Sequence, residues 1–178
     1  MKKLVPTLLL LALSFCVYGQ QRINRNVAGF TLGRYYSTNR AEDIIWKKFS
    51  CMPRIYRESS STSIMTVGSI PFAGEKWDCF NVIQDSSGKI SEILFGKDFK
   101  EKDEFLSFCL RLAEMIVTKY GASVKHSEEQ SALEWVWADS RNTTLHLQAV
   151  SEDGVTVWLS YTDESLKGKI QSDTLNEL

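Results

Sequence analysis

Catalytic and metal centres draw on a short list of side chains, and this chain has few of them. Its 178 residues include two histidines and four cysteines. No C-x-x-C pair and no alternation of cysteine with histidine at ligand spacing occurs, so zinc chemistry has no foothold. G-x-S-x-G, H-E-x-x-H, the P-loop and G-x-G-x-x-G are all missing, which removes the enzyme classes that carry those signatures. The net charge is −1, with no basic block, so a nucleic-acid footprint is lacking. A long acidic tail is lacking too. Long apolar runs are also scarce. The only candidate, Leu4 to Phe15, falls short of the ~20 residues that cross a bilayer.

That apolar run nevertheless has a meaning. Met1-Lys2-Lys3 is positive, the middle is apolar, and the end, Val17-Tyr18-Gly19, offers small or medium residues at the first and third positions before a cut. The combination reads as a secretory signal over residues 1–19, leaving a mature chain from about Gln20. The alternative is lipid attachment at Cys16. It requires a small residue just before the cysteine, where bulky Phe15 stands. Removing residues 1–19 leaves 159, a length suited to one domain. Two lysines leave with it, so Lys+Arg falls from 21 to 19 against 22 acidic residues. The expected location is periplasmic or extracellular, with no transmembrane helix in the mature chain.

Cys51, Cys79 and Cys109 then remain, an odd number for an oxidising compartment. Cys109 falls on an apolar helix face and reads as a buried thiol. Cys51–Cys79 is the bridge the count permits, though spacing alone does not fix it.

Periodicity organises the rest. Residues 20–28 are polar. In "STNRAEDIIWKKF", Asn39 is a candidate helix cap with Glu42 as its partner, and Ala41, Ile44, Ile45, Lys48 and Phe49 recur at helical spacing. Pro53 ends this element. "RESSSTS" (57–63) reads as a loop. Residues 63–67, 76–84 and 89–95 read as strands, the last two joined by Asp85-Ser86-Ser87-Gly88. Residues 101–120 carry two apolar stripes. One is Phe105, Phe108, Cys109, Leu112 and Ile116; the other is Leu106, Leu110, Ala113, Val117 and Tyr120. A helix so broadly apolar belongs at the centre of the fold, and Gly121 closes it. Residues 133–139, 143–150 and 154–161 alternate as three strands of a meander, and the tail allows a short helix. The expected fold is α+β: two α-β-β-β halves, about 29–99 and 100–162, with antiparallel sheet packed on helices in one domain spanning 20–178.

At fold level this order resembles small modules of the bacterial envelope, namely the beta-lactamase inhibitor proteins and the small lipoproteins of outer-membrane protein assembly. The stretch "FTLGRYYSTNRAEDII" and the helix exit "KYG" at 119–121 carry the resemblance. It implies binding of proteins or peptides rather than catalysis, and it transfers no individual residue.

Two sets of side chains are candidates for function. The first is aromatic. On residues 154–161, Val155, Val157, Leu159 and Tyr161 share one side, which places Trp158 on the opposite, polar side. Trp135 and Trp137 share a side of their own strand. Read functionally, Trp158, Trp135 and Trp137 form a docking surface for a protein, peptide or glycan. Read structurally, Trp135 and Trp137 fill the core and Trp158 packs at an edge. The second set is catalytic. A cysteine with His126 or His146 makes a nucleophile and base if the fold brings them together. Asp78 and Asp139 make a glycosidase pair only if they stand ~5–10 Å apart. His126 lies in a polar connection and His146 on the solvent side of its strand.

The expectation is therefore an exported, non-catalytic module that binds an envelope or secreted protein or peptide, with no cofactor and no nucleic acid. The alternative is a secreted hydrolase with a dispersed Cys/His or carboxylate site. Intact mass of the purified mature protein checks the first step. A start at Gln20 without added lipid is expected, and a diacylglyceryl group on Cys16 overturns it.

Overall fold

A computed structural model describes residues 22–129, 132–151 and 155–176. The segment 1–19 and Cys16 lie outside the described residues. A short N-terminal hairpin, β1 (Asn26–Val27) and β2 (Phe30–Thr31), precedes helix α1 (Thr38–Phe49). Four strands follow: β3 (Arg54–Arg57), β4 (Ser61–Phe72), β5 (Glu75–Asp85) and β6 (Ile90–Phe99). Helix α2 (Lys102–Tyr120) leads into four more: β7 (Lys125–Glu129), β8 (Ala132–Ala138), β9 (Thr143–Ser151) and β10 (Val155–Asp163). Helix α3 (Glu164–Asn176) closes the described chain.

The eight longer strands form one antiparallel sheet in the order β3-β4-β5-β6-β10-β9-β8-β7. Each run of four pairs consecutively, and the two runs meet where β6 and β10, the last strand of each, lie side by side. The α+β class and the sheet packed against helices hold. Helices α1 and α2, however, are each followed by four strands rather than three. The added strands, β3 and β7, are the two edges of the sheet. Edge strands face water along one side and on much of both faces, so their sequences, "RIYR" and "KHSEE", carry no apolar alternation to read.

Sheet pairing sorts side chains into two faces. One face carries the row Phe80–Phe95–Leu159–Leu147–Trp135 and the row Ile64–Val82–Ile93–Tyr161–Leu145–Trp137. Helices α1 and α2 cover this face, α1 over β4 and α2 over β6, β9 and β10. The stripe read from α1 packs there through Ala41, Ile45 and Phe49. The helix starts two residues earlier than a cap at Asn39 implies, because Ser37 is the cap: its Oγ accepts from Arg40 N–H at 3.4 Å. Between β4 and β5 the register shifts at Val67/Ile70. The shift turns both Ile70 and Trp77 inward, and Trp77 meets Phe95 and Phe108 in an aromatic cluster while its Nε1 donates to Phe72 O at 3.1 Å. Each such large side chain, fully buried, contributes about 1.5–3 kcal/mol.

The opposite face carries the row Val67–Cys79–Gly96–Trp158–Gln148–Glu134. Helix α3 lies on part of this face, over β5, β6 and β10. Lys167 of α3 reaches Glu92 at 3.5 Å, and Leu166 is buried. The sheet is thus covered on one side by two helices and in part on the other by a third. Among the described residues no helix is long and apolar enough to cross a membrane.

The N-terminal segment ties the two runs together. Phe30 packs on Tyr36 and Phe80, while Ile23 N–H donates to Asp139 Oδ2 at 3.1 Å. Arg25 forms an ion pair with Asp163 and donates to Thr143 Oγ1 at 3.0 Å. Burial opposes ionisation of Asp163, but hydrogen bonds from Ser165 and Arg25 outweigh it and hold the carboxyl below its usual range. Asp139 behaves alike: burial works against its charge, and donors on Arg141, Thr143 and Ile23 prevail.

Two outcomes follow for stability. Arg25→Ala leaves the Asp163 side chain, only 6% exposed, without its cation. A loss of about 3 kcal/mol in urea unfolding is expected, the low end for a broken buried pair because Arg25 itself is 22% exposed. Because both aspartates are depressed, their stabilisation is complete above the unfolded-chain value of about 3.9 and is lost as pH falls through the lower folded values. Asp139→Asn is accordingly expected to flatten the drop in unfolding midpoint below about pH 4.

Candidate functional site

One end of the sheet gathers the β3–β4 hairpin, the β5–β6 turn and the start of α1 around an open, polar cleft of about 600 Å³. Each wall has a local cause. In the β5–β6 turn, Asp85 Oδ1 accepts from Ser87 N–H at 3.0 Å and from Lys89 N–H at 2.9 Å, which winds the turn tightly. Gly88 takes φ +80°, and a Cβ there would sit 2.7 Å from the Tyr35 ring. Glycine thus lets Tyr35 lie against the turn. The segment before α1 is pinned to the same turn: Tyr36 N–H donates to Gly88 O at 3.0 Å. Buried Gln84 donates through Nε2 to Tyr36 O at 2.7 Å.

The result is a fixed wall of donors and acceptors from Ser37, Thr38, Asn39, Ser59, Ser61 and Ser87, with Arg57 at the rim. Tyr35 stands 60% exposed as an apolar platform. Glu58 and Asp85 also line the cleft, so its surface offers hydrogen bonds, stacking and charge of both signs.

The three tryptophans do not make one surface. Trp137 is fully buried on the helix-covered face, its Nε1 donating to Gly121 O at 2.9 Å. It is core, which corrects its placement on a docking surface. The cause is the α2 exit, which folds over that strand. Trp135, on the same face, is half-buried and stacks on His126 with centroids 4.9 Å apart. Trp158 lies on the opposite face as its alternation predicts, but it is half-buried. Its ring rests on Gly96, where a Cβ would come within 2.5 Å of it.

The candidate catalytic groups are likewise dispersed. Cys109 is buried on α2, its thiol pushed up to about 12 by burial. Cys79 sits on the other face beside Gly96, with burial raising its pKa. Cys51 donates to Phe49 O at 3.3 Å; all three thiols are free, so the Cys51–Cys79 bridge is not formed. His126 is exposed on edge strand β7 rather than in a loop. His146 lies on the face shared with α3. Its Nε2 is 2.9 Å from Glu134 Oε1, a contact that is an ion pair only when the imidazole is protonated and that lacks hydrogen-bond alignment. Burial lowers its pKa and outweighs the pull of Glu134. Glu134 is held low chiefly by its hydrogen bond from Lys125.

Asp78 accepts from Asp98 N–H, and Asp98 is level with Thr156. Asp139 stands at the other end, level with Thr143 and hence with Asp163. Thr156 to Asp163 along β10 spans roughly 20 Å, well beyond glycosidase spacing. Among the described residues, no three His, Cys, Asp or Glu side chains gather as a metal site.

Comparison with family models, with curated proteins and with solved structures returned no match.

The cleft escaped the sequence reading, although its parts were visible. Asn39 was legible as a candidate helix cap, two residues past the true one, and Asp85-Ser86-Ser87-Gly88 as a turn, each a local device. Only the sheet brings them together. The Trp158–Gly96 contact is testable. Gly96→Ala is expected to lose about 1–3 kcal/mol by overpacking. Part of the loss should vanish in a Trp158→Leu background, measured as a double-mutant cycle, and part should stay, because Cys79 Sγ lies 2.6 Å from the same Cβ.

Proposed function

We propose that this chain is a non-catalytic protein- or peptide-binding module of the cell envelope. The observation that carries the reading is the open cleft with exposed Tyr35 and Arg57 in its lining, beside a sheet edge that no other described strand pairs. Rigid turns fix its walls, so little order is lost when a ligand seats. Its chemistry is that of contact: an aromatic platform, hydroxyls, one guanidinium and the carboxylates of Glu58 and Asp85. Export, from the N-terminal charge and hydropathy pattern, supports the envelope as the place where it works. Separation of Cys109, His126 and His146, and of Asp78 from Asp139, weighs against the dispersed hydrolase.

The test is affinity capture with the tagged mature protein from envelope extract, followed by titration of the purified partner. A direct complex is expected, weakened about tenfold or more by Tyr35→Ala, the loss typical of an aromatic anchor. Turnover of a peptide, ester or glycoside substrate by the pure protein, without a stoichiometric partner, overturns the reading.

A further inference from the structure

We propose, building on the peptide-binding reading above, that the open edge of β3 takes up an extended acidic segment of a partner as a ninth strand. The segment would carry two acidic residues three positions apart with apolar residues between them. β3 ends the sheet, and among the described residues no strand pairs with its outer side. Its backbone N–H and C=O groups on that side are therefore free to continue the ladder, the basis of strand addition.

The side chains say what kind of strand fits. β3 reads Arg54-Ile55-Tyr56-Arg57. Both arginines are exposed, and neither forms an ion pair with another described residue. Arg54 is level with Met65 and Arg57 with Thr62, so the two point to opposite faces of the sheet. A ligand strand whose acids stand three apart also places them on opposite faces, one beside each arginine. The two residues between them meet Ile55 and Tyr56. Tyr56 is 45% exposed, and Met52, just before the strand, is 77% exposed. Cross-strand pairs of opposite charge and of apolar side chains both stabilise a ladder.

A second copy of this chain fits poorly. Antiparallel pairing of β3 with itself, in the one register that uses all four residues, sets Arg54 against Arg57 twice. Like charges directly opposed destabilise the pair. The other edge differs as well. In β7, Lys125 is already paired with Glu134, and the strand ends in Glu128 and Glu129. It is net acidic where β3 is purely basic. Arg57 also stands on the rim of the cleft, so a strand lying along β3 runs from Met52 toward the Tyr35 platform.

Nuclear magnetic resonance titration of the mature protein with a ten-residue peptide bearing acid–apolar–apolar–acid tests this. Amide shifts confined to β3 and the adjoining cleft are expected, with binding that weakens as salt rises. Arg54→Glu and Arg57→Glu together should weaken binding about tenfold, since two attractive pairs become repulsive. A peptide with lysines in place of its acids should then bind the double variant better than the original protein. Both positions are exposed, so an unchanged melting curve confirms that the variant folds. Unmoved β3 amides, or no recovery with the lysine peptide, overturns the edge site. Selection from a random displayed-peptide library separates the two levels of the idea. Bound peptides that ignore the double variant leave the binding module standing and sink the β3 edge; no bound peptide at all counts against both.

Discussion

The ladder between β6 and β10 is the contact on which the rest of the molecule depends. It joins the final strand of one four-strand run to the final strand of the other, from Val155↔Phe99 to Thr162↔Glu92. Without it, each run would end in a bare edge at the very place where the most apolar side chains lie. Phe95 pairs with Leu159 and Ile93 with Tyr161 across this junction, and α2 packs over both strands. On the reverse side the same junction holds Gly96 under Trp158. A ring that size crosses the junction only because its partner lacks a side chain. Helix α3 then lies over β10, β6 and β5, spanning the junction on the face that α2 does not reach.

Because the junction is central, the chemistry of the surface is pushed to the periphery. The cleft and β3 belong wholly to the first run and touch the junction only through β5 and β6. His146, Glu134 and Lys125 belong wholly to the second. Side chains at these margins can change without disturbing the shared core. The polar clusters at the two sides are therefore independent in physical terms, each supported by its own turns.

What the sequence made legible follows the same division between centre and margin. Interior strands and helices were readable because burial imposes a period: α2, with its two apolar stripes, and β8 to β10, with their clean alternation. The face of Trp158 could be read from its neighbours Val157 and Leu159. Edge strands obey no such rule. "RIYR" sits between a proline and a polar loop, and "KHSEE" is polar throughout, so neither displays the signature of a strand. The bulge near Val67 was equally hidden; it lets Trp77 and Phe80 face the same way although they stand three positions apart. The cleft was out of reach for another reason. Its walls are a cap, a hairpin and a turn far apart in the chain, and their meeting is a property of strand order.

The N-terminal strap has a consequence in time. Its anchors, Asp139, Thr143 and Asp163, all come from the last third of the chain. Residues near Ile23 and Arg25 are among the first to be synthesised, yet these three partners arrive only with the end of β8, β9 and β10. The bond from Arg25 to Asp163 therefore cannot close until the last strand exists, and it links the first part of the fold to the last.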